Sequence, residues 1–221
     1  MFTKFSLLLH LIYQFAVMTK EMIIEQAAKM FAEQGIKSIR MDDIAKALGV
    51  SKRTLYEMFE DKEELLYHSI RHMQQRRMAK VEAKLKENTD SLIYLFESIE
   101  MMMDNRDLHR RISNNLSKFY PRTFERVRKE SEERSGKILY SLIEHYIDCG
   151  LIVPTVDIRL SVTILYYTTT TIVTTADNMS LPDGVTLEDA MAYTIINFFR
   201  GIATIKGVQQ IDEYLATKSR K

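Results

Sequence analysis

Ser51-Lys52-Arg53-Thr54-Leu55-Tyr56 gathers, within six residues, side chains suited to gripping a polyanion. Two cations can pair with phosphate oxygens, and three hydroxyls can donate to phosphates or base edges. If the segment is a helix, Ser51 stands at its start and its hydroxyl caps a free amide. Lys52, Arg53, Thr54 and Tyr56 then fall on the first turns, where a groove-reading helix makes its contacts. Arg40 upstream and Lys62 downstream add positive charge, both expected at the phosphate backbone. For this to work, Asp42, Asp43, Glu57 and Glu60 must face away from the cations.

The flanking pattern supplies the elements that would hold this group. Ala45 stands four residues before Gly49, and Leu55 six after it. A small residue lets two helices cross closely, and glycine accepts the positive φ of a tight turn. Ile44, Leu48, Val50, Leu55 and Phe59 are spaced to form an inner face. Asp61 followed by Glu64 reads as a capping box that opens a further helix, with Lys62 on its first turn. The spacing predicts a helix-turn-helix that delivers its second helix to the DNA major groove.

Residues 19–65 resemble the N-terminal DNA-binding domain of TetR/AcrR-like transcriptional regulators. The resemblance rests on Ile24-x-x-Ala27-Ala28-x-x-Phe31-x-x-x-Gly35, on Ile44-Ala45-x-x-x-Gly49-Val50-Ser51, and on Leu55-Tyr56-x-x-Phe59-x-x-Lys62-x-x-Leu65. It implies an all-α homodimer whose subunits carry a three-helix DNA-binding head and a larger helical domain. That domain takes a small-molecule effector, and the effector releases operator DNA. The chain departs from the family pattern at three places. Arg40 stands where Thr or Ser usually caps, Arg53 where Gly is common, and Met58 where an aromatic is frequent.

Composition agrees with a helical protein. Seven Gly and three Pro in 221 residues are too few for a loop-rich β architecture. The one cysteine, Cys149, precludes an internal disulfide and fits a reducing cytoplasm. Net charge is only +1, and residues 19–62 hold eight Lys or Arg against eight Asp or Glu. The DNA reading therefore depends on where charges lie and not on their number. The apolar run 5–17 is too short to span a membrane. Met18-Thr-Lys-Glu resembles a natural start, so residues 1–18 are expected to be an N-terminal extension, either from a misassigned start or as an extra amphipathic helix using Leu8, Leu11, Ile12 and Phe15.

The expected domains are thus 1–18, 19–65 and 66–221, the last for ligand binding and dimerisation. One long helix is predicted over 62–87, and others follow Asp90 and span 108–118. Pro121 opens a further helix that ends at Gly150. Residues 157–178 are rich in β-branched residues, but Val162, Leu165, Tyr166, Thr169 and Val173 keep helical spacing, so a helix is expected. A final main helix opens on Thr186-x-x-Asp189 and is expected to end at Gly207, leaving a short tail. Val162, Tyr166, Val173, Ile195, Phe198, Phe199 and Ile202 are the expected dimer face. Met101, Met102, Phe119, Tyr120, Tyr166 and Tyr167 are the expected pocket lining, since Met and aromatics suit an adaptable apolar site.

The expected function is a ligand-responsive repressor released from its operator by an apolar or aromatic molecule. The alternatives are a helical small-molecule binder that has lost DNA binding and, far behind, an enzyme on this scaffold. No phosphate loop or nucleophile elbow is present in the sequence to support the latter. His68 and His72 share a helix face but have no Cys or acidic partner at matching spacing. No metal, cofactor or membrane partner is expected.

Overall fold

The computed structural model describes residues 19–87, 90–103, 106–174 and 179–218, without the side chains of 87, 101–103, 106, 107, 109, 173 and 174. The extension 1–18 lies outside the described residues. Ten helices are present among the described residues: α1 Lys20–Gln34, α2 Met41–Leu48, α3 Lys52–Met58, α4 Lys62–Glu87, α5 Leu92–Met103, α6 Arg106–Phe119, α7 Pro121–Asp148, α8 Ile158–Thr174, α9 Leu187–Ile202 and α10 Ile205–Lys218. The fold is all-α, as expected; extended pairing among the described residues is limited to a bridge between Ile152 and Ala203. No helix among the described residues is long and apolar enough to cross a membrane.

Compactness divides the chain into two units. One holds the described residues up to Arg76 together with Arg111–Val127, and the other holds Arg77–Arg110 and Arg128–Lys221. The boundary drawn at residue 65 from the motif thus falls inside the first unit. Burial explains why 111–127 joins it: Ile112, Leu116, Thr123 and Val127 are all buried. Arg111 donates to the Ala32 carbonyl at 2.8 Å, and the Thr123 hydroxyl donates to Glu63.

In the first unit, α1 starts on Thr19, whose hydroxyl accepts the Met22 N–H at 3.2 Å. Ile23, Ala27, Ala28 and Phe31 form its buried stripe at helical spacing. Ile44 and Ala45 of α2 and Leu55 of α3 pack into the same interior with Phe59, Leu65 and Leu66. Leu48 and Val50, also expected inside, are half-buried.

In the second unit the core joins Leu92, Leu95 and Phe96 with Ile143, Tyr146, Leu165, Ile195, Phe199, Ile211 and Tyr214. Phe96 meets Phe199 edge-on at 5.9 Å and lies 5.1 Å from Tyr214. The β-branched run is helical, as the spacing predicts. Its threonines return their hydroxyls to the preceding turn, Thr163 to Arg159 at 2.8 Å and Thr169 to Leu165 at 2.7 Å. That bond satisfies each hydroxyl within its own helix. Thr186 and Asp189 form the predicted reciprocal cap of α9: Asp189 N–H to the Thr186 hydroxyl at 3.1 Å, and Thr186 N–H to the carboxylate at 2.8 Å.

The end of the chain differs from expectation. The last main helix stops at Ile202, not near Lys206, and Gly207 does not terminate it. Ala203 turns extended, and two exchanges hold it: Val153 N–H to Ile202 O and Thr204 N–H to Leu151 O, both 2.9 Å. Helix α10 then begins, with Gly207, Ile211 and Tyr214 as its buried face. Gly207 is there for space: a Cβ on it would lie 2.2 Å from the Leu151 carbonyl oxygen.

Candidate nucleic-acid interface

The turn between α2 and α3 forms as its residue types dictate. Gly49 takes φ 66° and ψ 23°, the left-handed region that side chains resist, and has open space around it. Val50 N–H donates to Ala45 O at 3.0 Å, which closes α2. Ser51 then caps α3 by accepting the Thr54 N–H at 3.0 Å. Leu55 is fully buried, so the rotation of α3 about its axis is fixed. Lys52, Arg53 and Tyr56 consequently face solvent, Tyr56 with 44% of its surface exposed. Thr54 is half-buried, and its hydroxyl meets that of Ser51 at 2.8 Å, so it serves the cap.

The acidic residues do not all turn away from these cations. Asp42 pairs with Lys52 at 2.8 Å, and Glu57 pairs with Arg53 at 2.7 Å. The Asp42 hydrogen bond and charge raise the Lys52 pKa above the ordinary lysine value. The side chains involved are largely exposed, and such pairs are weak because water screens them. They hold the cations on the outer face and yield readily to a stronger polyanion.

Arg40 is exposed at the head of α2. Its N–H donates to the Asp43 carboxylate at 2.8 Å, while its guanidinium has no acceptor with which to return a cap. The Lys62 ammonium donates to the Ile36 carbonyl at 2.6 Å, and partial burial lowers its pKa. Lys62 therefore braces the start of α4. The Asp61 cap also forms differently: Asp61 accepts Glu64 N–H at 2.8 Å, but the Glu64 carboxylate takes the N–H of Glu60.

The other expected sites come together only in part. Phe119 and Tyr120 belong to the first unit, where the Lys37 ammonium lies 5.1 Å above the Phe119 ring. Tyr166 and Tyr167 belong to the second unit and meet edge-on at 5.6 Å. The two pairs therefore belong to different units. Met101, Met102 and Val173 lie outside the described side chains. A groove of about 430 Å³ in the second unit has other walls, chiefly Leu85, Ile138, Leu142 and Tyr146, with Lys86 and Lys137 among its polar residues. Of the expected dimer face, Ile195 and Phe199 are buried in the core, while Val162, Tyr166, Phe198 and Ile202 are half-buried. The apolar side chains that α8 and α9 turn outward are Leu160, Ile164, Tyr167 and Tyr193. Helical spacing located the helices, but it left open which stripe faces inward.

The fold and the capped α2–α3 turn define a helix-turn-helix protein with a helical second unit. Comparison with known proteins narrows this. Residues 23–68 match the family described as bacterial regulatory proteins, tetR family. A helix-turn-helix-type transcriptional regulator of Staphylococcus aureus is 33% identical over 122 residues, covering 49% of this chain and 62% of that protein. Another from the same species is 45% identical over 51 residues, 23% of this chain and 28% of its own length. The matches thus span less than two thirds of these relatives. Among solved structures, a transcriptional regulator from Cytophaga hutchinsonii superposes with TM-score 0.71 at 20% identity, covering 83% of this chain and 98% of that one. A transcriptional regulator from Saccharomonospora viridis, solved with choline, gives TM-score 0.63 at 18% identity, over 82% and 96% of the two chains. Residues 23–68 thus carry a DNA-binding domain of the tetR family, and the rest of the chain shares the fold of solved transcriptional regulators.

Proposed function

We propose that the protein is a cytoplasmic, homodimeric repressor that binds a two-fold-symmetric operator and leaves it when a small molecule occupies the second unit. The single observation that carries the DNA reading is the orientation of α3. Leu55 is buried while Lys52, Arg53 and Tyr56 face solvent beside the exposed Arg40. A helix held this way can enter the major groove, its cations on phosphates and its phenol near base edges. Two copies are needed because one short helix reads too few base pairs for useful affinity. The outward Leu160, Ile164, Tyr167 and Tyr193 support dimerisation through α8 and α9, since such a strip is a liability in water. The groove beside Leu85 and Tyr146 has the size of a small-ligand site, and its apolar walls favour an apolar or aromatic effector. A solved neighbour of the same fold was determined in complex with choline, which supports binding of a small molecule by this protein as well.

The test is DNA binding by fluorescence anisotropy, using the segment upstream of the protein's own gene. Lys52→Ala combined with Arg53→Ala removes specific binding while sedimentation still reports a dimer. Removing a cation that pairs with a phosphate also flattens the salt dependence, by about one unit of log–log slope for each phosphate. A double variant that holds the operator as tightly as the parent overturns the assignment of α3.

A further inference from the structure

Asp90, His145 and Cys149 converge in the second unit although Asp90 stands 55 and 59 residues before the other two. His145 and Cys149 are one turn apart at the end of α7, and Asp90 precedes α5. His145 Nε2 lies 3.0 Å from Asp90 Oδ1 and 3.4 Å from Cys149 Sγ, and Sγ lies 3.4 Å from the same carboxylate oxygen. One nitrogen, one oxygen and one sulfur thus form a nearly equilateral triangle.

Zinc holds nitrogen and oxygen at about 2.0–2.2 Å and sulfur at about 2.3 Å, in tetrahedral geometry. Two corners of such a tetrahedron are therefore about 3.3 Å apart for N and O, and about 3.6 Å for S with either. The observed sides fall within a few tenths of an ångström of those edges. A cation can enter with very small side-chain shifts.

The backbones that carry these ligands are fixed by α10. Gln210 accepts the Leu92 N–H at 2.8 Å and donates to the Asp90 carbonyl at 3.5 Å. Lys206 donates to the Cys149 carbonyl at 3.0 Å. The buried Tyr146 hydroxyl reaches Ser91 O at 3.4 Å, so α7 is tied to the segment that follows Asp90. Asp90 is exposed while His145 and Cys149 are half-buried, which gives an entry path. Ligands on a braced scaffold lose little entropy when they bind a metal.

We propose that Asp90, His145 and Cys149 form a binding site for a thiophilic divalent cation of the zinc class, with a fourth position supplied from solvent. On binding, the Cys149 thiol releases its proton to solvent as the sulfur–metal bond forms, and the carboxylate and imidazole exchange their mutual contact for the metal. No oxidant or reductant takes part. The site is independent of the DNA reading.

The test is titration of the reduced full-length protein with Co(II), a spectroscopic stand-in for zinc. The chain has one cysteine, so a thiolate-to-cobalt charge-transfer band can arise only from Cys149. The expected result is one cobalt per chain with that band, displaced by Zn(II). Asp90→Asn and His145→Ala, each confirmed as folded by circular dichroism, should weaken binding at least on the order of 10- to 100-fold, the loss typical of outer-shell groups alone. Cys149→Ser should abolish the band. Zn(II) should raise the unfolding midpoint of the parent, and much less that of the variants. Absence of the band overturns the site. So does a stoichiometry of one metal per two chains, or binding unmoved by the Asp90 and His145 variants.

Discussion

The α2–α3 turn and the Asp90–His145–Cys149 cluster are assembled in opposite ways. At the turn, the cap, the left-handed glycine and the outward cations come from one short stretch, Ala45 to Tyr56. In the cluster, two ligands share a helix end, but the third arrives from 55 residues away. The first arrangement is set by backbone preferences, and a sequence displays those openly. The second exists only because α5, α7 and α10 pack together, and local pattern has no access to that.

The contrast can be broken by asking whether local chemistry suffices for the turn. Phe59 is fully buried, so Phe59→Ala should destabilise the protein by about 3–5 kcal/mol in urea unfolding. A loss below about 1 kcal/mol would mean that the turn stands without its core, on capping alone.

Two glycines sharpen the same contrast. Gly207→Ala should cost about 1–3 kcal/mol, because the new methyl meets the Leu151 carbonyl, which cannot move without disturbing the 150–153 segment. Gly49→Ala should cost about 1–2 kcal/mol through backbone strain alone, since nothing lies near it. Replacing Gly49 by Asn, which tolerates the left-handed region, should recover most of that loss, whereas Gly207→Asn should be worse than alanine. Equal recovery at both positions would show that the two glycines serve one purpose. Thermal midpoints of the four variants decide it.

The smallest expected effect on stability concerns the exposed ion pairs. Asp42→Asn with Glu57→Gln should leave the unfolding midpoint nearly unchanged, because both pairs are solvated. The same change should tighten binding to operator DNA, on the order of tenfold at low salt, since two acids leave the face that meets phosphates. Weaker binding would mean that the acids orient Lys52 and Arg53 more than they neutralise them.

Much of this molecule was legible in the sequence wherever neighbours along the chain decide the outcome. Ser51 before Thr54, Gly49 after Ala45 and Thr186 before Asp189 each predicted a cap or turn that formed. The threonine-rich run after Asp157 gave conflicting signals, and the helical spacing proved the correct one. Less was legible where a partner lay elsewhere. Lys62, a DNA candidate, also holds the carbonyl of Ile36, 26 residues earlier, which no local pattern shows. Gly207 looked like a helix end, because a lone glycine carries no sign that a distant carbonyl presses on it. Ile195 and Phe199 were given to a dimer face, yet the core takes them. His145 and Cys149 stand four apart in the chain but were not read as a pair, since nothing local marked Asp90 as a third ligand.

By itself, the sequence determined the helical class, the positions of most helices and the chemistry of the α2–α3 turn. Those follow from hydrogen bonds and dihedral preferences that operate within a few residues. Only the tertiary structure decided which stripe of α8 and α9 faces water, that Lys52 and Arg53 sit in weak ion pairs, and that three distant ligand atoms stand at the corners of one triangle. Each of those depends on how rigid helices pack, and packing is chosen by the sum of many buried contacts that no single stretch of the chain contains.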